Sequence, residues 1–140
     1  MSKPPLWFTL LAAVALVWNL AGLFAVVADL RLSAADIAAM PAQQQALYAA
    51  RPLWSVLASV VAVGGGTLGC LALLLRRRWA VPLFYLSIVG VVLQDIGIFL
   101  VAGAARSGNP VPFVLQGLVL AVAIGLIALA RRGVARSWLS

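Results

Sequence analysis

Four apolar stretches, each about as long as a helix that crosses a bilayer, leave this chain little choice of solvent. Such a helix needs about 20 apolar residues at ~1.5 Å of rise each. The stretches cover residues 6–28, 53–75, 83–104 and 113–130. The first carries no charge, and the second lies between Pro52 and the triplet Arg76-Arg77-Arg78. The third is interrupted only by Gln94 and Asp95, and the fourth stops at Arg131-Arg132. Lipid offers backbone N–H and C=O groups no partner, so each stretch is predicted to be helical; transmembrane strands would be about half as long and would alternate in polarity. The expected fold is an all-α, integral membrane four-helix bundle forming a single transmembrane domain.

Composition agrees. Hydrophobic residues make up 65% of the 140 and charged residues only 9%, whereas soluble domains run near half and a quarter. With no His, one Cys and three acidic residues, the chain lacks the means for a His-ligated metal or haem site, a disulfide framework or a clustered-carboxylate catalytic centre. No metal, cofactor or enzymatic activity is expected. The first apolar stretch, at 23 residues, exceeds the ~7–15 apolar residues of a signal peptide and is expected to be a retained helix.

Direction follows from the basic residues. Lys3, Arg76, Arg77, Arg78, Arg131, Arg132 and Arg136 fall on one side of the predicted spans, against Arg31, Arg51 and Arg106 on the other. The positive-inside rule then places both termini in the cytoplasm. The formal charge of +7 therefore reads as membrane anchoring, with Arg76, Arg77 and Arg78 meeting anionic lipid heads. Nucleic-acid binding would need a basic face on a soluble element. Trp7, Trp54, Trp79 and Trp138 lie at predicted interfaces, where indole is favoured; Trp18 lies inside the first span.

The outer loop, residues 29–52, is the one polar segment of any length. Ser33 and Asp36 have the form of a capped helix start, and Pro41 suits the first turn of a second short helix over 42–50. That helix would turn Leu47 and Tyr48 toward lipid or the bundle and residues 43–45 toward water. The loop is expected to be a lid on the membrane surface, with a gate or partner-binding surface as the alternative. Asp29 and Asp36 are expected to be solvated, with Arg31 a weak partner. Residues 79–82 and 107–110 are expected to be short turns.

Residues 64–69 formally match GxGxxG, but a dinucleotide site requires a strand before it and a soluble βαβ unit, so the match carries no function. A stripe of small residues, Ala58, Ala62, Gly66 and Cys70, recurs every four positions and would let helix backbones approach closely. Gly117, Ala121 and Gly125 form a similar stripe on the fourth span, for packing within the bundle or for homodimerisation.

Asp95 is the residue in the wrong solvent, since a charged Asp near a helix centre costs about 2.5–3.5 kcal/mol on insertion scales. Counting ~1.5 Å per residue from the inner boundary puts Asp95 at ~18 Å, Asn19 at ~20 Å, Gln116 at ~21 Å and Ser59 at ~24 Å. Gln94 adjoins Asp95 but is turned ~100° around the helix. A polar cluster on one level is predicted, serving either as a proton or substrate site built on Asp95 or as interhelical hydrogen bonding.

Trp18-Asn19, Pro52-x-Trp54, Gly65-Gly66-x-Leu68-Gly69, the run from Leu73 through Arg76-Arg77-Arg78 to Trp79-Ala80, and Leu86-Ser87 resemble a group of small four-span bacterial inner-membrane proteins of unknown function, sometimes labelled sugar transporter. The resemblance covers most of the chain and implies the same fold and an inner-membrane location. Small multidrug transporters share the size and span count, but their first helix carries an essential Glu where this one has only Asn19. The expectation is a non-enzymatic accessory or scaffold subunit that binds lipid, another membrane protein or a second copy of itself. The alternative is a small transporter or ligand-binding protein using Asp95.

Overall fold

The computed structural model describes residues 3–103 and 110–140. Arg106 and most of the turn at 107–110 lie outside the described residues. Six α-helices follow in order: α1 (Leu6–Leu30), α2 (Ala34–Ala38), α3 (Ala42–Ala50), α4 (Leu53–Leu74), α5 (Ala80–Asp95) and α6 (Val111–Ala135), with a π-helical segment, Ile96–Val101, continuing α5. No strand occurs among the described residues. Four helices, α1, α4, α5 with its π extension, and α6, are long and apolar enough to cross a membrane. The chain is an all-α, multi-pass membrane protein.

The third span is shifted against its apolar stretch for a local reason. α5 starts at Ala80, three residues before the expected point, because Pro82 sits in its first turn, where a missing N–H leaves no helical bond unmade. Residues 79–82 therefore open a helix rather than form a turn. The same span departs from α-geometry after Asp95. Gly97 packs where a Cβ would overlap the Ser55 side chain, and Ser55 Oγ donates to the Gln94 carbonyl at 3.3 Å. Ala102 N bonds the carbonyl of Gly97 five residues back, the π pattern that restores pairing to a backbone disturbed in lipid.

α4 is the central element, packed against α1 on one side and α5 on the other. Its small residues make that possible. Ala58, Ala62 and Gly66 are buried as expected, and a Cβ on Gly90 of α5 would lie 2.7 Å from both the Ala58 carbonyl and the Ala62 nitrogen. Ser87 Oγ donates to the Ala62 carbonyl at 2.6 Å across the same junction. The stripe on α6 behaves differently. Gly117, Ala121 and Gly125 are exposed, and a Cβ on either glycine would meet nothing within 4 Å. The inward face of α6 is instead Ala123, Leu126 and Ala130, so its smallest residues face away from the bundle.

The dense core lies at the end of the bundle that holds both termini. There Phe8, Ala12, Cys70, Leu73, Phe84, Leu126, Ala130 and Leu139 form one buried cluster. α1 meets α6 here: Phe8 packs edge-on to Trp138 at 5.2 Å, Trp7 does so at 5.7 Å, and the Arg132 guanidinium lies over the Trp7 ring. The C-terminal tail folds back on the α4–α5 connection. Arg78 N donates to the Ser140 carbonyl at 2.8 Å and Ser140 N to the Arg76 carbonyl at 2.9 Å. Nε of Arg76 and of Arg78 reaches the Trp138 and Leu139 carbonyls. Two of the three arginines assigned to lipid heads thus also hold the tail, and Arg77 is exposed.

α4 and α6 end alike, each with a non-glycine residue at φ 60, Arg76 and Ser137. The left-handed region costs an L-residue roughly 1–2 kcal/mol. Arg76 spends its side chain on the tail, whereas Ser137 has no such return. Ser137→Gly is expected to raise thermal stability by about 1 kcal/mol, read as a higher unfolding midpoint in detergent; an unchanged or lower midpoint would show that the strain is not borne there.

Candidate functional site

Toward the opposite end, where α2 and α3 lie, α1 and α6 do not close on each other. A cavity of about 590 Å³ opens between the four long helices. Its wall carries Asn19 from α1, Ser59 from α4, Ser87 and Gln94 from α5, and Gln116 from α6. Between them lie apolar side chains, among them Val63, Phe84, Val91, Val122 and Leu126. Trp18, the one tryptophan not at an expected interface, lines it as well.

The polar residues do not share one level. Asn19 lies against Gly66, where a Cβ would collide with its side-chain oxygen, and its Nδ2 donates to the Ala15 carbonyl at 2.9 Å and Cys70 Sγ at 3.5 Å. Gln94 lies eleven residues of α4 away, held beside Ser55, which is ~16 Å along the helix axis. The equal depths expected for Asn19, Asp95 and Gln116 assumed that every helix starts in one plane. Asn19 is thirteen residues into α1, but its neighbour Gly66 is only eight from the end of α4. α1 therefore begins ~7 Å beyond the end of α4 on the terminal side.

Two tiers result. The deep tier holds Asn19 and Ser87 and is otherwise apolar. In the outer tier, Gln94 Nε2 donates to Gln116 Oε1 at 2.9 Å, joining α5 to α6. One amide acceptor and the second amide's donors are left over, whichever way the pair is oriented. Ser59 lines the same cavity and turns its hydroxyl to the Ser55 carbonyl at 3.1 Å.

Asp95 is not part of this wall. Gln94 and Ile98 face the cavity, and Asp95, the next residue round the helix, points elsewhere. Its Oδ1 is buried with no hydrogen-bond partner among the described residues. The acidic residue that does line the cavity is Asp29. The α1–α4 register pairs Gly22 with Val63 and Asn19 with Gly66; continued, it sets Asp29 opposite Val56, on the level of Gln94.

Asp29 was expected to be solvated beside Arg31. Instead its Oδ2 lies 2.9 Å from Nη1 of Arg51, each side chain 24% exposed, and its Oδ1 accepts from Tyr48 Oη at 2.5 Å. The Arg51 guanidinium also stacks over the Tyr48 ring, 4.9 Å from its centroid. The bond to Asp29 pushes the Tyr48 phenol above its ordinary pKa of 10.0, and burial adds to this. All three line the cavity, so the loop end of the cavity is bounded by a charged cluster. The cause is local: α3 ends with Tyr48 and Arg51 on one face, three residues apart, and the chain before it is folded tightly. The Ser33–Asp36 capping box forms as expected, its backbone and hydroxyl bonds holding the Asp36 carboxyl below 3.8. Gln45 Nε2 then donates to the Ala38 and Met40 carbonyls, doubling α3 back toward α1.

Among the described residues no group of His, Cys, Asp or Glu could hold a metal ion. No protein-family model, curated protein or solved structure matches the chain.

Proposed function

We propose that this is a non-enzymatic, multi-pass protein of the bacterial inner membrane, with both termini in the cytoplasm, that binds one amphipathic membrane molecule in the cavity between its four spans. The observation that carries the reading is the lengthwise division of that cavity. Its outer part offers an amide pair, a hydroxyl and an ion pair, and its deeper part, apart from Asn19 and Ser87, is lined by valine, leucine and phenylalanine. Its volume of about 590 Å³ falls within the ≈300–1,000 Å³ usual for small-molecule sites. An apolar tail would lie along the deep wall, and a polar head would stop at the level of Gln94 and Asp29. The orientation rests on the excess of Lys and Arg at the end holding the termini. The protein would then act as an accessory subunit that holds or presents a lipid to another membrane protein. Transport through Asp95 has less support, because Gln94, Gln116 and Asp29 line the cavity and Asp95 does not.

Filling the cavity tests the reading. Ala123→Phe on α6 and Ala25→Phe on α1 project new rings from opposite walls. Native mass spectrometry of wild-type protein purified in mild detergent should show one retained lipid per chain. Both variants should lose it while eluting and melting as folded protein. A lipid-free wild type, or variants that retain as much as wild type, would sink the proposal.

A further inference from the structure

The loop-end cluster is electrically neutral as a unit, and this selects the head that can join it. Of the charged residues described around it, only Asp29 and Arg51 line the cavity; Arg31 and Asp36 are exposed and belong to its outer surface. Asp29 and Arg51 already satisfy each other at 2.9 Å, with Tyr48 bonded to the second carboxylate oxygen. Neither is saturated. A guanidinium carries five N–H donors and a carboxylate about four lone-pair sites, more than this pair and one phenol use.

We infer that the molecule held in the cavity is a zwitterionic phospholipid, its phosphate on the spare donors of Arg51 and its ammonium on the spare lone pairs of Asp29. The inference rests on the proposed lipid-binding role of the cavity and names the head. Four alternating charges would then surround one another, each facing two of opposite sign. A phosphate without the ammonium would gain Arg51 but sit beside the Asp29 carboxylate, and an ammonium alone would face Arg51. A like charge at such distances is costly where water is scarce. An uncharged head would leave the spare donors and lone pairs unused. The amide pair Gln94–Gln116, on the level of Asp29, offers one acceptor and free donors to the polar head.

Trp18 lies in the cavity wall and reports occupancy. The protein in maltoside micelles would be titrated with chain-brominated phosphatidylethanolamine, phosphatidylglycerol or diacylglycerol. Quenching of a Trp18→Phe variant, whose remaining tryptophans see bulk lipid, would be subtracted. Phosphatidylethanolamine should half-saturate the Trp18 signal at a concentration about ten-fold below that of phosphatidylglycerol, the scale of one charge-assisted hydrogen bond, and below that of diacylglycerol. Asp29→Asn keeps an acceptor for Tyr48 and Arg51 but removes the negative charge; it should shift the preference toward phosphatidylglycerol. Equal quenching by the ethanolamine and glycerol lipids, or by diacylglycerol, would overturn the head assignment while leaving lipid binding intact. An Asp29→Asn variant with the wild-type preference would do the same. Absence of any Trp18-dependent quenching would overturn both the assignment and the lipid-binding reading.

Discussion

Gly90→Ala should destabilise the bundle by about 2–3 kcal/mol, a large loss for one methyl group. The added carbon would lie 2.7 Å from the Ala58 carbonyl and the Ala62 nitrogen. Both are backbone atoms of α4, so no side chain can swing aside, and α4 and α5 must part along their closest junction. Helices in lipid associate through close van der Waals packing and interhelical hydrogen bonds rather than through expulsion of water. Parting this pair would forfeit both, including the 2.6 Å bond from Ser87 to Ala62. The measurement is the folded fraction surviving a heating series in detergent, read by size-exclusion chromatography. Gly117→Ala is the control, since its Cβ would meet nothing within 4 Å; it should stay within about 0.5 kcal/mol of wild type. Equal melting of the two variants would show that the α4–α5 junction does not limit stability.

Leu139→Ala should cost about 2–5 kcal/mol, the range for truncating a buried leucine. Leu139 is 1% exposed and closes the core against Phe8 and the backbone of Gly133. It also ties three elements together, because the tail that carries it bonds Arg76 and Arg78 while Trp138 packs edge-on to Phe8. This is the place where α1 meets α6, so loosening it should separate the two helices that flank the cavity. The expected result is a lower unfolding midpoint together with a red shift of tryptophan emission as Trp7 and Trp138 become wetter. Leu118→Ala, at a site 50% exposed on α6, should leave both readings near wild type. If Leu139→Ala melts like Leu118→Ala, the tail is an appendage and not part of the core.

How far the site could be read in advance differed from residue to residue. Ser33 and Asp36 were legible because a capping box is a matter of spacing within four residues. Ala58, Ala62 and Gly66 were legible because small residues every fourth position share one helix face. Gln116 was legible as a polar residue near the depth of Asp95, but it bonds the neighbouring Gln94 instead. Asn19 was misplaced by depth counting, which cannot see that α1 starts beyond the end of α4. Gly117, Ala121 and Gly125 had the right spacing for packing but lie on the outward face, since periodicity defines a face without saying which way it turns. Asp95 drew attention as the acid inside a span, yet its neighbour Gln94 faces the cavity. Arg51 was missed: its partner, Asp29, is 22 positions away, and the two meet only because Gln45 and the capped turn at Ser33 double the loop back.

The amino-acid sequence by itself determined the solvent, the number of spans and the helical state of each. Those follow from apolar length and from the need of every backbone group in lipid for a partner within its own helix. Only the tertiary structure decided which sides of those helices meet, how far each slides along its neighbour, and which acid belongs to the cavity. These depend on a few close contacts, Gly90 on Ala58 and Ala62, Gly66 on Asn19, Asp29 on Arg51. In lipid, an apolar face gains nothing merely by turning inward, so contact geometry rather than hydrophobicity sets the arrangement.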